Sequence, residues 1–486
     1  MKYFFLSVLF LGSTTVIKAQ KSFSKNELTA DLNLYKTILE KAHAGLYKYH
    51  TKQQVDSIFE HYGKLIHEGT GIIRFYKYLS AIMGYVGSLH DEISLSDNVK
   101  KDIRNVPAYF PYPVKLINGK LLVNIDSMHI PVGAEILSIN GRKTKDILPP
   151  LYKYYTTDGF NITGKSEGIN AKFPWFYRLE NGIPKKFTIV YKPLKQTTGL
   201  TAHVQPVTWK AYTLLYSKRH SMTLDTLLED RYSFQMIDSL NTGILTVNTF
   251  SLGNEKSKKH QAYKQFLQTT FATLKEKHIR NLVVDIRQNG GGSDPNDLLT
   301  FSYLAHHPFK ENAAAFTLFQ QLPYKQYCLD DTSDINDIEE NFRDEHNQLK
   351  DGKYFQNPSY NPLWQPDSLA FSGKVYLLIG PPVASAASLF ASMVKSEGYA
   401  TVIGEETMGG YYGHTGHNTA AYQLPNTKIS FTIALVDLKQ YVTDKKDIPF
   451  GSGILPDIRI IQSQADFISN RDAVIEQTLR MISTQK

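Results

Sequence analysis

The sequence predicts a multidomain α+β protein: an N-terminal helical bundle, a β-rich middle and an α/β core. Three observations carry this expectation. Apolar residues recur at helical spacing through roughly the first hundred positions, and two Asn-Gly pairs then punctuate short β-runs. The C-terminal half alternates continuous apolar runs with helical stretches, the pattern of strands covered on both faces. At 486 residues the chain exceeds a single core, and at about 150 residues per domain it should hold two to four.

The N-terminus comes first. Lys2, an apolar run from Tyr3 to Gly12 and the stretch Ile17-Lys18-Ala19-Gln20 have the shape of a signal peptide over residues 1–19, cut after Ala19. The run is too short to cross a bilayer, and no cysteine follows it to carry a lipid. The expectation is an exported chain, in a bacterial periplasm or outside the cell, with no stable membrane anchor after cleavage. Residues 20–98 read as the helical unit. Ser24 with Glu27 and Thr51 with Gln54 have capping-box spacing, and Gly45 and Gly87 close the first and third helices. His90 lies just past the last of them.

A Pro-rich link at 107–113 leads into a β-rich domain over 105–200. There Val114–Ile117, Asn118-Gly119 and Leu121–Ile125 read as a hairpin with a type I′ turn. Ile136–Ile139 enters a second Asn-Gly turn at Asn140-Gly141, and residues 186–192 form a further strand. From 205 to 486 the core begins. Gly243–Phe250 is a β-run, 261–278 a helix, and Leu282–Ile286 a strand that ends in Arg287-Gln288-Asn289-Gly290-Gly291-Gly292. The scheme repeats as strand Val375–Ile379, turn Gly380–Ala384, helix Ser385–Lys395 and strand Thr401–Ile403. Residues 325–365, acidic and aromatic, read as a surface insertion or lid because they exceed an ordinary loop.

Composition excludes several functions. The 42% hydrophobic and 12% aromatic content rules out a long disordered chain. The net charge is +8, but 54 basic residues are scattered among 46 acidic ones with no run of five, so nucleic acid is not an expected partner. The single cysteine, Cys328, excludes an internal disulfide and a thiolate zinc cage.

Two places put special backbone chemistry at the end of a buried strand. Gly290-Gly291-Gly292 lets main-chain N–H groups converge on an anion or oxyanion; the alternative is a turn that needs positive φ. Ser385 sits over the positive end of a helix dipole, where a hydroxyl is activated; the alternative is an ordinary N-cap. A serine nucleophile needs a base. His90 and His414 are the candidates among 15 histidines. His414 and His417 also have His-x-x-His spacing, but no third ligand or glutamate accompanies them, so neither a metal nor a cofactor is expected.

In combination, Ile286–Gly292, the Ala384-Ser385-Ala386-Ala387 helix start, Val402-Ile403-Gly404-Glu405-Glu406-Thr407 and Gly453-Ile454-Leu455-Pro456-Asp457-Ile458 resemble the C-terminal processing peptidases. These are the tail-specific and tricorn-type serine peptidases, with a crotonase-like core and a PDZ-like domain. The resemblance implies that Ser385 is the nucleophile and that the N–H groups of Gly290, Gly291 and Ala386 form the oxyanion hole. It likens residues 105–200 to the PDZ-like domain and 205–486 to the catalytic core, and implies a polypeptide substrate that is unfolded or exposes its C-terminal tail. In the tail-specific branch a lysine base follows the Gly-Glu-x-Thr motif. Here that position is Gly410, and no lysine stands between Lys395 and Lys428. The tricorn-type branch takes a histidine from before the PDZ-like domain, which implies His90 as base with His414 in reserve. Two alternatives accompany this reading: a catalytically inactive, peptide-binding pseudopeptidase, and a crotonase-like acyl-CoA enzyme.

Overall fold

A computed structural model describes residues 22–126, 129–220 and 231–484; the expected signal peptide lies outside the described residues. Three helices open the chain: Lys25–Ala42, Lys52–Lys64 and Ile72–Val86. The first two begin in reciprocal capping boxes at Ser24/Glu27 and Thr51/Gln54, each cap contributing about 1 kcal/mol. The third stops at Gly87, whose φ of 74° is left-handed. A Cβ there would come within 2.8 Å of the Gly159 carbonyl oxygen, so glycine alone permits this close approach.

The apolar faces of these helices do not close on one another alone. Leu28, Leu32, Tyr35, Leu39, Phe75 and Leu79 share one buried cluster with Phe431, Ile433 and Leu435 near the far end of the sequence. Strand Glu92–Ser94 pairs antiparallel with Ser430–Thr432. The fully buried Asp31 carboxylate accepts from the N–H groups of Asn426 and Thr427 and from the Thr427 hydroxyl. The helical unit is therefore built onto a C-terminal sheet, because its apolar stripe is wider than three helices cover mutually.

The middle region is an antiparallel sheet in the order Val114–Ile117, Lys120–Val123, Glu135–Ile139, Phe187–Lys192, Leu200–Val204. Both Asn-Gly turns carry positive φ at both residues, 47° and 75° at Asn118-Gly119 and 49° and 81° at Asn140-Gly141, as a type I′ turn requires. Phe110, Val114, Leu121, Ile136, Phe173 and Phe187 belong to a core of its own.

A second sheet runs Ile458–Arg459, Thr401–Gly404, Lys374–Ile379, Asn281–Asp285, Thr242–Val247, Tyr232–Ile237. It is parallel except for its last pair. Along Leu282–Ile286 alternate residues enter opposite cores: Leu282, Val284 and Ile286 meet the cluster under helices Lys258–Glu276 and Ala386–Glu397, and Val283 meets the cluster under Ala473–Thr484. Burial on both faces explains the unbroken apolar run.

A third sheet has the order Glu92–Ser94, Ser430–Gln440, Asn312–Thr317, Lys353–Phe355, Gln348–Lys350, with Thr415–Gln423 also on Ser430–Gln440. The segment expected to be a surface insertion or lid, 325–365, is thus woven in. Its two short strands extend this sheet, and helix Thr332–Glu345 buries Ile335, Ile338 and Phe342. No helix among the described residues is long and apolar enough to cross a membrane.

Candidate active site

Strands Asn281–Asp285 and Lys374–Ile379 are parallel neighbours, with Asp285 opposite Leu378. Their C-terminal ends therefore open on the same edge, and the loops leaving the two strands meet there. The first strand leads into the glycine turn. Arg287 anchors it, donating to Asp285 at 2.9 and 2.6 Å and to Asp472 at 2.7 Å through each terminal nitrogen. Asn289 ties it down from within, donating to the Val247 carbonyl at 3.1 Å and accepting from the Gly291 N–H at 2.9 Å. The second strand leads to Ser385, the residue before helix Ala386–Glu397.

Glycine at 291 is a packing requirement. Its φ is 101°, and a Cβ would stand 2.7 Å from Ser385 Cβ and 2.8 Å from the Ala384 carbonyl oxygen. Gly290 next to it is exposed, and a Cβ there meets nothing within 4 Å.

Ser385 takes the N-cap position without acting as a side-chain cap. Its φ/ψ is 52°/−133°, and its hydroxyl makes no capping bond. A non-glycine residue at positive φ stores strain of about 1–3 kcal/mol. Its carbonyl instead accepts from the Ser388 hydroxyl at 2.7 Å. This leaves Ser385 Oγ facing His90, whose Nε2 lies 3.2 Å away across 295 residues of sequence.

His90 stands on a loop clamped from several sides. Asp158 accepts from the Leu89 N–H at 3.0 Å and from the Gly410 N–H at 3.1 Å. The Thr156 hydroxyl donates to the carbonyls of Leu89 and Asp91, and the Gly159 N–H donates to the Gly87 carbonyl. On the other side the buried Asp91 carboxylate accepts from His43 Nε2 at 2.9 Å, the Ser88 hydroxyl at 2.9 Å and the Ala434 N–H at 3.0 Å. Because His43 Nδ1 accepts from the Gly45 N–H, its proton lies on Nε2 and points at Asp91. Thr415 completes the chain by donating to the Ser88 hydroxyl at 2.6 Å.

Burial sets the electrostatics. It lowers the pKa of His90, against smaller upward pulls from the Thr415 main chain and Asp91, so the imidazole is neutral at pH 7. His90 Nδ1 is buried, and no bond to it has hydrogen-bonding geometry among the described residues. Burial pushes the Asp158 carboxyl up to about 7, although its two N–H donors act the other way. His414 is buried with its ring centroid 5.2 Å from that of His90. Burial first, then the charges of His90, His417 and Lys48, hold its pKa well below the ordinary value.

The sequence-derived residues therefore gather in part. Ser385, His90 and the glycine turn meet, and His414 flanks them without a hydrogen bond to Ser385 among the described residues. Gly291 needs correction as an oxyanion donor, because its N–H is already held by Asn289. The N–H groups of Gly290 and Ala386 make no hydrogen bond among the described residues, Ala386 because the first helical turn lacks intrahelical acceptors. Gly410, where a lysine base would stand, gives only its main chain, to Asp158. The His-x-x-His pair diverges: His414 lies against His90, and His417 lies against Glu311 at 3.3 Å. Sequence reasoning missed Asp158, Asp91 and His43. A Thr-Thr-Asp-Gly stretch around Asp158 reads as a surface turn, and no periodicity marks His43 or Asp91 as a pair.

Known proteins share this sequence pattern and fold. Residues 241–460 match the model of peptidase family S41. The fold resembles mature CPAF complexed with lactacystin, at TM-score 0.59 and 15% identity over 94% of this chain and 97% of that one. It resembles mature CPAF alone at TM-score 0.58 and 15% identity, over 94% and 96%. A weaker likeness, TM-score 0.39 at 13% identity over 89% and 92%, is to a photosystem II D1 C-terminal processing protease. Comparison with curated protein sequences finds no match. Ser385 and both ends of the glycine turn fall inside the matched region, whereas His90 and Asp158 reach it from outside: over its residues 241–460, the chain is similar to peptidase family S41.

Proposed function

We propose that this protein is a serine endopeptidase that works through Ser385 and His90, on unfolded or tail-exposed polypeptides. The carrying observation is the 3.2 Å approach of His90 Nε2 to Ser385 Oγ at a helix N-terminus, with the serine hydroxyl free of a capping role. With Nε2 unprotonated, the Ser385 hydroxyl donates to it and attacks the scissile carbonyl, and His90 takes the proton and returns it to the leaving amine. The N–H groups of Ala386 and Gly290 and the dipole of helix Ala386–Glu397 stabilise the tetrahedral oxyanion.

A cavity of about 600 Å³ lined by Lys48, Phe316, Phe355, Tyr412, Asp437 and Phe450 supports substrate side-chain binding. It is lined by neither Ser385 nor His90, but Lys48 is close enough to influence His414. Its aromatic walls suit an apolar side chain. Export through residues 1–19 is part of the proposal and rests on their sequence pattern alone.

A second reading, peptide binding without turnover, is favoured by one observation. His90 Nδ1 has no carboxylate partner among the described residues, so the imidazolium formed on proton transfer lacks the usual stabilising acid. One experiment separates the two: hydrolysis of an unstructured polypeptide by the full chain and by Ser385→Ala, with covalent labelling by a fluorophosphonate. Turnover and labelling lost in Ser385→Ala support the peptidase. A wild type that neither cleaves nor labels, yet binds the polypeptide, supports the second reading.

A further inference from the structure

A second group of chemistry-bearing side chains lies beside the site and has no part in the Ser385–His90 chemistry. Asp294, Glu311 and His417 each bring one ligand atom within 4.8 Å of the other two. They arrive from three separate places. Asp294 comes two residues after the glycine turn, Glu311 directly before strand Asn312–Thr317, and His417 from strand Thr415–Gln423. Glu311 Oε1 lies 3.3 Å from His417 Nε2, close to the edge of about 3.4 Å expected between ligands held tetrahedrally at about 2.1 Å from a zinc ion.

Several buried polar atoms around the group have no hydrogen-bond partner among the described residues. Glu311 is 8% exposed, and its Oε1 is buried with no hydrogen-bond partner among the described residues; the approach of His417 lacks hydrogen-bonding geometry. Asp297 is fully buried, with neither oxygen partnered among the described residues. Asp294 and Glu311 are its charged neighbours. His346, 2% exposed, also has both ring nitrogens buried and unpartnered among the described residues, and His417 is one of its charged neighbours. Three carboxyl groups converge here, two of them buried, and such groups are costly unless paired or bound to metal.

We propose that Asp294, Glu311 and His417 form a binding site for a zinc-class divalent cation, with Asp297 and Glu345 as further carboxylates in its electrostatic neighbourhood. One imidazole with carboxylates suits zinc, cobalt or manganese better than magnesium or calcium. A bound ion would clamp the segment after the glycine turn to the strand that carries His417, three residues past His414. The competing account is a plain His417–Glu311 ion pair beside a protonated Asp297.

The test is metal uptake by the full chain, so its outcome is independent of peptidase activity. Chelator-stripped protein is titrated calorimetrically with Zn²⁺, and with Co²⁺ to read visible absorption. The variants are Asp294→Asn, at an exposed position, and His417→Asn, which tolerates the φ of 60° there. The expected result is one equivalent bound by the wild type, tetrahedral cobalt bands, and at least tenfold weaker binding in each variant with unchanged far-UV dichroism. No uptake by the wild type, or uptake equally tight in Asp294→Asn, overturns the proposal, and the latter result assigns the metal to other histidines.

Discussion

Replacing Gly291 by alanine tests the site more sharply than removing the proposed nucleophile, because its neighbour provides a built-in control. The added Cβ at 291 would sit 2.7 Å from Ser385 Cβ and 2.8 Å from the Ala384 carbonyl oxygen. Ordinary carbon contacts lie at about 3.5–4.0 Å, so Ser385 has to retreat by roughly 0.8 Å or more. Alanine at a φ of 101° adds backbone strain of about 1–2 kcal/mol. Displacements near 1 Å at a reacting centre cost about a hundredfold in rate. Gly291→Ala should therefore lower kcat on an unstructured polypeptide by about a hundredfold, with a modest fall in Tm. At Gly290 a Cβ meets nothing within 4 Å, and alanine keeps the N–H. Gly290→Ala should stay within about twofold of wild type. The assay is steady-state hydrolysis, with thermal denaturation of each variant to confirm folding. Equal activity in the two variants would refute the placement of Ser385 against this turn.

The remaining predictions concern the proposed base and its support. His90→Ala should abolish polypeptide hydrolysis while His414→Ala keeps it within about tenfold, since among the described residues His90, and not His414, is hydrogen-bonded to Ser385 Oγ; the reverse ranking in kcat would transfer the role to His414. Burial depresses the His90 pKa below 6.5 and the base must be neutral, so the acid limb of kcat/KM should have its midpoint below about 6.5. A limb centred above 7 would count against His90. Asp158, held up at about 7 against an unfolded value of about 3.9, binds its proton more tightly when folded. Its contribution to stability is fully present below about pH 4 and is lost as pH rises through about 7. The stability of wild type relative to Asp158→Asn, followed by urea unfolding, should therefore shrink between those pH values; a growing difference would contradict the burial described for it.

Much of the architecture was legible because it is local and periodic. Capping boxes at Ser24 and Thr51, type I′ turns at Asn118-Gly119 and Asn140-Gly141 and the two-faced run Leu282–Ile286 each arise from spacing within a few residues. Elsewhere the same reasoning fell short. The 325–365 stretch looks solvent-facing because its strands are short and Gln348–Lys350 is an exposed edge strand, yet their backbone groups extend a sheet. Gly291 looked like a donor because triple glycine frees the main chain. It was the side chain of Asn289, two residues back, that claimed the N–H.

The sequence by itself determined the strand–turn–helix units that end in the glycine turn and in Ser385, since apolar periodicity and glycine placement act over short distances. The tertiary structure alone decided which histidine reaches that serine. Parallel pairing of Asn281–Asp285 with Lys374–Ile379 brings the turn to Ser385. The packing of helices 25–86 on strand Ser430–Gln440, with Asp158 and Asp91 gripping the loop between Gly87 and Asp91, carries His90 across 295 residues to within 3.2 Å. Buried polar residues such as Asp91, Asp158 and His43 obey no hydrophobic period, because what places them is a hydrogen-bond partner far along the chain. The pattern of one sequence records which side chains avoid water, and such partners become visible only when the chain has folded.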